Sequence, residues 1–229
     1  MAILTGKSAM RGWSGLSVVV FVILAGFGLV GCGAPAFTYV TNSGDRTYLK
    51  VPASWQQIDS QELARAIGVD PSSGGQAGLW MVGYDADISP SPVHLFGPHT
   101  PAPAVFVGVK AIPPAARGQL SLDTLRDIFY PVSPTARQQL GMRATSTKTD
   151  FALLADEVLT PGHGLRGVHV VYRYRQATGP AQIVDQTGYL NDDASKLYVA
   201  FVRCSSECYQ QRQQEIQNVV SSFTVRETP

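Results

Sequence analysis

Val168-His169-Val170-Val171-Tyr172-Arg173-Tyr174-Arg175 is the stretch whose reading decides the fold. Its even positions are apolar or aromatic, while His169, Arg173 and Arg175 mark the other set. Successive side chains of a strand point to opposite faces, so this alternation predicts a strand with one face buried and one wet. Similar runs lie on both sides, giving strand candidates at 151–159, 167–176, 181–190 and 197–203. Pro161-Gly162-His163-Gly164, Ala177-Thr178-Gly179-Pro180 and Asn191-Asp192-Asp193 separate them with turn-forming residues. Strands joined by connections this short predict an antiparallel meander.

Outward from the meander, 206–221 reads as a helix with Tyr209, Arg212, Ile216, Val219 and Val220 along one side. Arg212 would lay its stem beside that stripe, and Phe223-Thr224-Val225 closes the chain as a strand or an extended tail. Toward the N-terminus, 37–41 and 48–51 form a hairpin around Asn42-Ser43-Gly44-Asp45, ended by Pro52, with Trp55 turning back over the core. A short helix at 60–67 takes Asp59 or Ser60 as its cap and Gly68 as its stop. Strands follow at 79–84 and 104–112, with a proline- and histidine-containing loop, 85–103, between them. Leu122, Leu125, Ile128 and Phe129 then fall at helical spacing behind Ser121, and 135–140 adds a helical turn or two.

This order, with Thr47-Tyr48-Leu49-Lys50-Val51-Pro52 followed by Trp55 and with Val220-Ser221-Ser222-Phe223-Thr224-Val225 at the close, resembles actinobacterial lipoproteins with a PsbP-like domain. The resemblance covers most of 37–226. It implies an α+β fold in which an antiparallel sheet is packed between helices, with the closing helix lying across the sheet. It also implies a part in binding and assembly in place of catalysis.

The N-terminus carries its own signal. Residues 1–15 hold Lys7 and Arg11 and no acidic residue, and the apolar run 16–30 ends in Leu29-Val30-Gly31-Cys32. That run is short for a membrane span, which needs about 20 residues. Leu-Val-Gly-Cys resembles the lipobox, in which the cysteine receives a diacylglyceryl group and becomes the mature N-terminus. The expected organisation is a signal peptide at 1–31, a lipidated N-terminus and tether at 32–36, and one α+β domain at 37–229. Cys32 would hold that domain on the extracytoplasmic face of the cell membrane, the alternative being an uncleaved membrane helix.

The chain has 18 basic and 17 acidic residues, and removal of Lys7 and Arg11 leaves 18 − 2 = 16 basic ones. A neutral domain offers little attraction to phosphate backbones, which argues against nucleic acid as a partner. In an oxidising compartment Cys204 and Cys208 are expected to form a disulfide pinning the turn between the last strand and the helix. A zinc site would need further ligands beside this pair, and a redox motif more often has two intervening residues.

Little else points to chemistry. His94 and His99 share the 85–103 loop, His163 sits in a glycine turn, and none makes a recognised ligand pattern. There is no Gly-x-Ser-x-Gly elbow in the mature chain, and Gly74-Gly75-Gln76-Ala77-Gly78 lacks the Lys-Ser/Thr of a phosphate loop. Asp156 and Glu157, adjacent in a strand, should point to opposite faces. His169, Arg173 and Arg175 would line one strand face, either as a solvated surface or as a basic contact for anionic head groups or a polyanionic wall polymer. The expected function is a membrane-anchored, non-catalytic binding or scaffolding module of the cell envelope, without cofactor or metal. A carrier of a lipid or other apolar ligand is the alternative.

Overall fold

The structure is a computed structural model and describes residues 35–70, 78–98, 100–142, 148–176 and 179–226. The first hairpin pairs β1 (Phe37–Asn42) with β2 (Thr47–Pro52). Asn42 locks its turn, donating to Asp45 Oδ2 at 2.9 Å and accepting from the Asp45 N–H at 3.2 Å. A two-residue strand, β3 (Gln56–Gln57), precedes α1 (Ser60–Ala66). Asp59 caps α1 by accepting from the Gln61 and Glu62 N–H groups, and Gly68, at φ +77°, follows it.

After β4 (Leu79–Asp85), the stretch read as a loop contains a helix, α2 (Pro92–Phe96). Ser91 caps it, Pro92 opens it, and buried Asp85, upstream, gathers the Asp87 and Ser91 N–H groups together with His94 Nδ1 at 2.6 Å. So short a helix leaves no periodicity to read. Next come β5 (Ala104–Ala111), the single turn α3 (Pro114–Arg117) and α4 (Leu122–Arg126), the last closed by reciprocal bonds between Ser121 and Thr124. Then α5 (Pro134–Gly141) follows a turn held by Asp127, whose carboxylate accepts from Val132 N, Ser133 N and Ser133 Oγ.

The meander is present as β6 (Lys148–Gly162), β7 (Leu165–Gln176), β8 (Gln182–Asn191) and β9 (Lys196–Ser205), every neighbouring pair antiparallel. The helix expected over 206–221 is two helices, α6 (Ser206–Gln211) and α7 (Gln213–Val220). They part at Arg212, whose backbone leaves helical geometry at φ −113°, ψ 22°. Its guanidinium grips Glu215 through two bonds of 2.7 and 2.8 Å, and Glu215 also accepts from Trp55 Nε1 at 2.8 Å. Burial works to raise the Glu215 pKa, but the bonds from Arg212 and Trp55 and the Arg212 charge prevail and hold it below its usual value. A final strand, β10 (Thr224–Val225), pairs with β2.

The large sheet runs β3-β4-β5-β9-β8-β7-β6, and the small one β1-β2-β10. One face of the large sheet is filled by Phe106, Phe201, Val199, Val184, Tyr172 and Tyr174, packed with Ile58, Leu63, Leu95, Tyr130 and Val132 from the helical segments and their connections. Phe201 is the hub, with ring centroids 4.0 Å from Phe129, 5.5 Å from Phe106 and 6.1 Å from Phe96. On the opposite face Val105, Val107, Ala200 and Val202 meet Ile216 and Val219 of α7, Phe223, and Leu49 and Val51 of the small sheet. That second cover packs over β4, β5, β9 and part of β8. It stops short of the sheet's far side, and the shortfall creates the site.

Candidate functional site

Residues directly opposite in neighbouring strands share a face. The register sets Ala155 opposite Val171, Glu157 opposite His169, Val171 opposite Asp185 and His169 opposite Thr187. Asp185 and Thr187 in turn oppose Val202 and Ala200, which belong to the core under α7. The face that is core at β9 therefore continues across β8, β7 and β6 beyond the helical cover. Between it and α6–α7 opens a cleft of about 690 Å³, within the usual range for small-molecule sites, about 300–1,000 Å³. Ala155, Leu159, His169, Val171, Asp185, Thr187 and Tyr189 line the sheet side. Tyr209, Gln214, Gln217, Asn218, Val220 and Ser221 line the helical side, and Phe223 closes it.

Asp185 organises the floor. Its side chain is 4 % exposed, and both oxygens are engaged: Oδ1 with His169 Nε2 at 2.8 Å, Oδ2 as acceptor from the Tyr209 hydroxyl at 2.7 Å. A carboxylate this far from water needs such partners. The chain thereby ties α6 to β8 and β7 through one side chain. The hydrogen bond to Asp185 raises the His169 pKa against the opposing effect of burial, and the charges of Asp185 and Glu157 add to the rise. Burial, then the Asp185 charge and hydrogen bond, pushes the Tyr209 hydroxyl well above the usual phenol range. Tyr189 packs on Phe223 at 5.9 Å between centroids, and its ring occupies the space that a side chain at Gly167 would need.

The raised His169 pKa fixes a pH dependence. A group whose folded pKa exceeds its unfolded value, about 6.5, contributes stability that is complete below that value and is lost as pH rises through the folded pKa. The stability difference between wild type and His169→Gln is therefore expected to be largest in mild acid and to shrink above neutrality. Urea titrations of both proteins across that range check it, and a difference that grows with pH would contradict the assignment.

The expected basic strip is divided. His169 turns to Asp185 in the cleft, whereas Arg173 and Arg175 lie within 3.4 and 3.8 Å of Asp150. Arg175 also donates to the Gly179 carbonyl at 2.9 Å. Asp156 and Glu157 do face opposite ways: Asp156 is bound by Arg126 of α4, Glu157 faces His169.

The expected bridge is corrected in this structure: Cys204 and Cys208 are free, buried thiols. Strand β9 and helix α6 bring them together, and they share a hydrogen bond. That bond and burial force the Cys204 thiol far up, while the same bond and the Arg212 charge draw Cys208 down. Cys32 and His99 lie outside the described residues. Among the described residues no helix is long and apolar enough to cross a membrane, and no three His, Cys, Asp or Glu side chains are grouped to hold a metal ion.

No protein-family model matches the sequence, and a search of curated proteins finds no match. Solved structures do show a likeness. The cyanobacterial PsbP protein CyanoP of Synechocystis sp. PCC 6803 is 16 % identical over 86 % of this chain and 96 % of its own, with a TM-score of 0.50. LpqN of Mycobacterium tuberculosis, described as involved in cell envelope biogenesis, is 13 % identical over 84 % of this chain and 91 % of its own, at 0.40. The Ran-binding protein Mog1p of Saccharomyces cerevisiae is 10 % identical over 85 % and 97 %, at 0.41. At these identities the likeness speaks of architecture alone. By fold, this α+β domain is PsbP-like.

Proposed function

We propose that this chain is a lipoprotein of the actinobacterial kind, cleaved before Cys32 and held by lipid on the extracytoplasmic face of the cell membrane, whose domain is a non-catalytic binding module with the cleft as its ligand seat. The observation that carries the reading is the cleft of about 690 Å³ over a floor already ordered by Tyr209, Asp185 and His169. A seat preorganised before its occupant arrives loses less entropy on binding. Among the described residues no nucleophile bonds the second ring nitrogen of His169, which favours binding over group transfer. Leu-Val-Gly-Cys at 29–32 supports the anchor, and two acyl chains hold where one is marginal. Carriage of a lipid is the second reading, favoured by Leu159, Val171 and Val220 along the cleft.

Native and denaturing mass spectrometry on the full chain taken from membranes tests both. The expected result is a mature chain beginning at acylated Cys32, with extra mass held only under native conditions. That mass should vanish in Ser221→Trp, which fills the cleft from an exposed position. A lipid mass selects the carrier. An unprocessed chain, or Cys32→Ala protein still processed and membrane-bound, overturns the anchor; extra mass retained in Ser221→Trp overturns the cleft.

A further inference from the structure

We infer that the outer edge of β6 is a docking strip for an extended segment of another protein, one that alternates basic and apolar residues and adds to the sheet as an eighth strand. β6 is the last strand of the large sheet, and its inner edge alone is paired among the described residues. The unused edge offers a row of N–H and C=O groups that a further strand can satisfy. Its surface is unusually apolar for such an edge. Leu153, Leu154 and Val158 are 43, 54 and 57 % exposed, three of the large hydrophobic side chains most open to water among the described residues.

The ladder to β7 is irregular between Thr149 and Ala152, between Leu153 and Ala155, and between Leu159 and Gly162. Those breaks bracket an unbroken run, Ala155, Asp156, Glu157, Val158 and Leu159, which is the length a short docked strand can use. Two carboxylates in that run decide the occupant. A second copy of this chain using the whole run antiparallel centres on Glu157 and sets that carboxylate against itself. A shift of the axis by one residue either way leaves only three residues of the run paired, and toward the N-terminus it also sets Asp156 against Asp156. Like charges directly opposite destabilise a strand pair, and opposite charges stabilise it. Asp156 is already held by Arg126, whereas exposed Glu157 is left to select a lysine or arginine. Glu157 lies on the cleft face and Val158 on the other, so the partner needs a basic residue opposite the first and an apolar one opposite the second.

Ala155 and Leu159 of this run also line the cleft, so the test reads backbone amides of the outer edge and not occupancy of the cleft. The full chain, in nanodiscs of zwitterionic phospholipid, is titrated with a short peptide alternating lysine and valine and with its glutamate–valine counterpart. The expected result is preference for the lysine peptide, with new exchange protection of outer-edge amides within 155–159. Glu157→Lys, an exposed change, is expected to weaken the lysine peptide about fivefold and to favour the glutamate one. Binding of the glutamate peptide by that variant also shows that it is folded. An unchanged preference in Glu157→Lys, protection confined to residues outside β6, or self-association through β6 in place of peptide binding would each overturn the inference.

Discussion

Phe201→Ala is expected to lower the unfolding free energy by about 4 kcal/mol, the middle of the range for truncating a buried aromatic ring. Phe201 is 2 % exposed and touches rings from three separate segments: Phe96 of α2, Phe106 of β5 and Phe129 after α4. Removing it loses the transfer energy of the ring, leaves a void and breaks edge, stacked and tilted ring contacts worth about 0.5–1.5 kcal/mol each. These segments cannot easily collapse inward, because each is fixed elsewhere: α2 by Asp85 and its capped turn, Phe106 by pairing on both sides of β5. Urea unfolding followed by circular dichroism measures the change. Phe201→Leu should recover more than half of it. A loss below about 2 kcal/mol in the alanine variant would mean that the aromatic cluster is loosely packed.

Asp185→Ala is expected to cost about 3 kcal/mol, because it strands a half-buried tyrosine hydroxyl and an imidazole at once. The telling measurement is the His169 titration by NMR. Without its hydrogen-bond acceptor and the adjacent charge, His169 should titrate lower than in the wild type. Asp185→Asn keeps the volume and an acceptor for Tyr209 yet removes the charge, so it should lower the His169 pKa at a smaller cost in stability. If His169 titrates alike in wild type and Asp185→Ala, the floor of the cleft is not coupled as described.

Much of the architecture was legible because it rests on period and punctuation. The alternation from Val168 to Arg175 fixed a strand and its buried face, and the turn residues at 161–164 and 191–193 placed its neighbours. Ser121 and Asp59 were readable as caps because an acceptor side chain before an apolar pattern has few other uses. Helix α2 was hidden because its cause is a buried carboxylate upstream, and the division at Arg212 because its partners are Trp55 and Glu215. Neither cause has a local signature.

The site was legible only in part. His169 stood out as the polar member of a strand face, but with two arginines beside it the face read as solvated. Asp185 was the stronger clue: a lone carboxylate inside the strand run 181–190, whose other members are apolar or uncharged. An acidic residue at such a position is either at the surface or held by partners. Deciding between the two required knowing where the helical cover ends, and that is a property of the assembled layers.

The small sheet carries one more consequence. Strand β2 has β1 on one side and β10 on the other, so residues 37–52 share a sheet with residues 224 and 225. A chain synthesised from its N-terminus makes the first hairpin early and must hold it unfinished until residues 224 and 225 have emerged. Val40, Leu49 and Val51 wait through that interval for Phe223, which packs in the same core. The segment 223–225 thus acts as a clasp on a hairpin made much earlier, and folding as a single cooperative event can complete only once the clasp has closed.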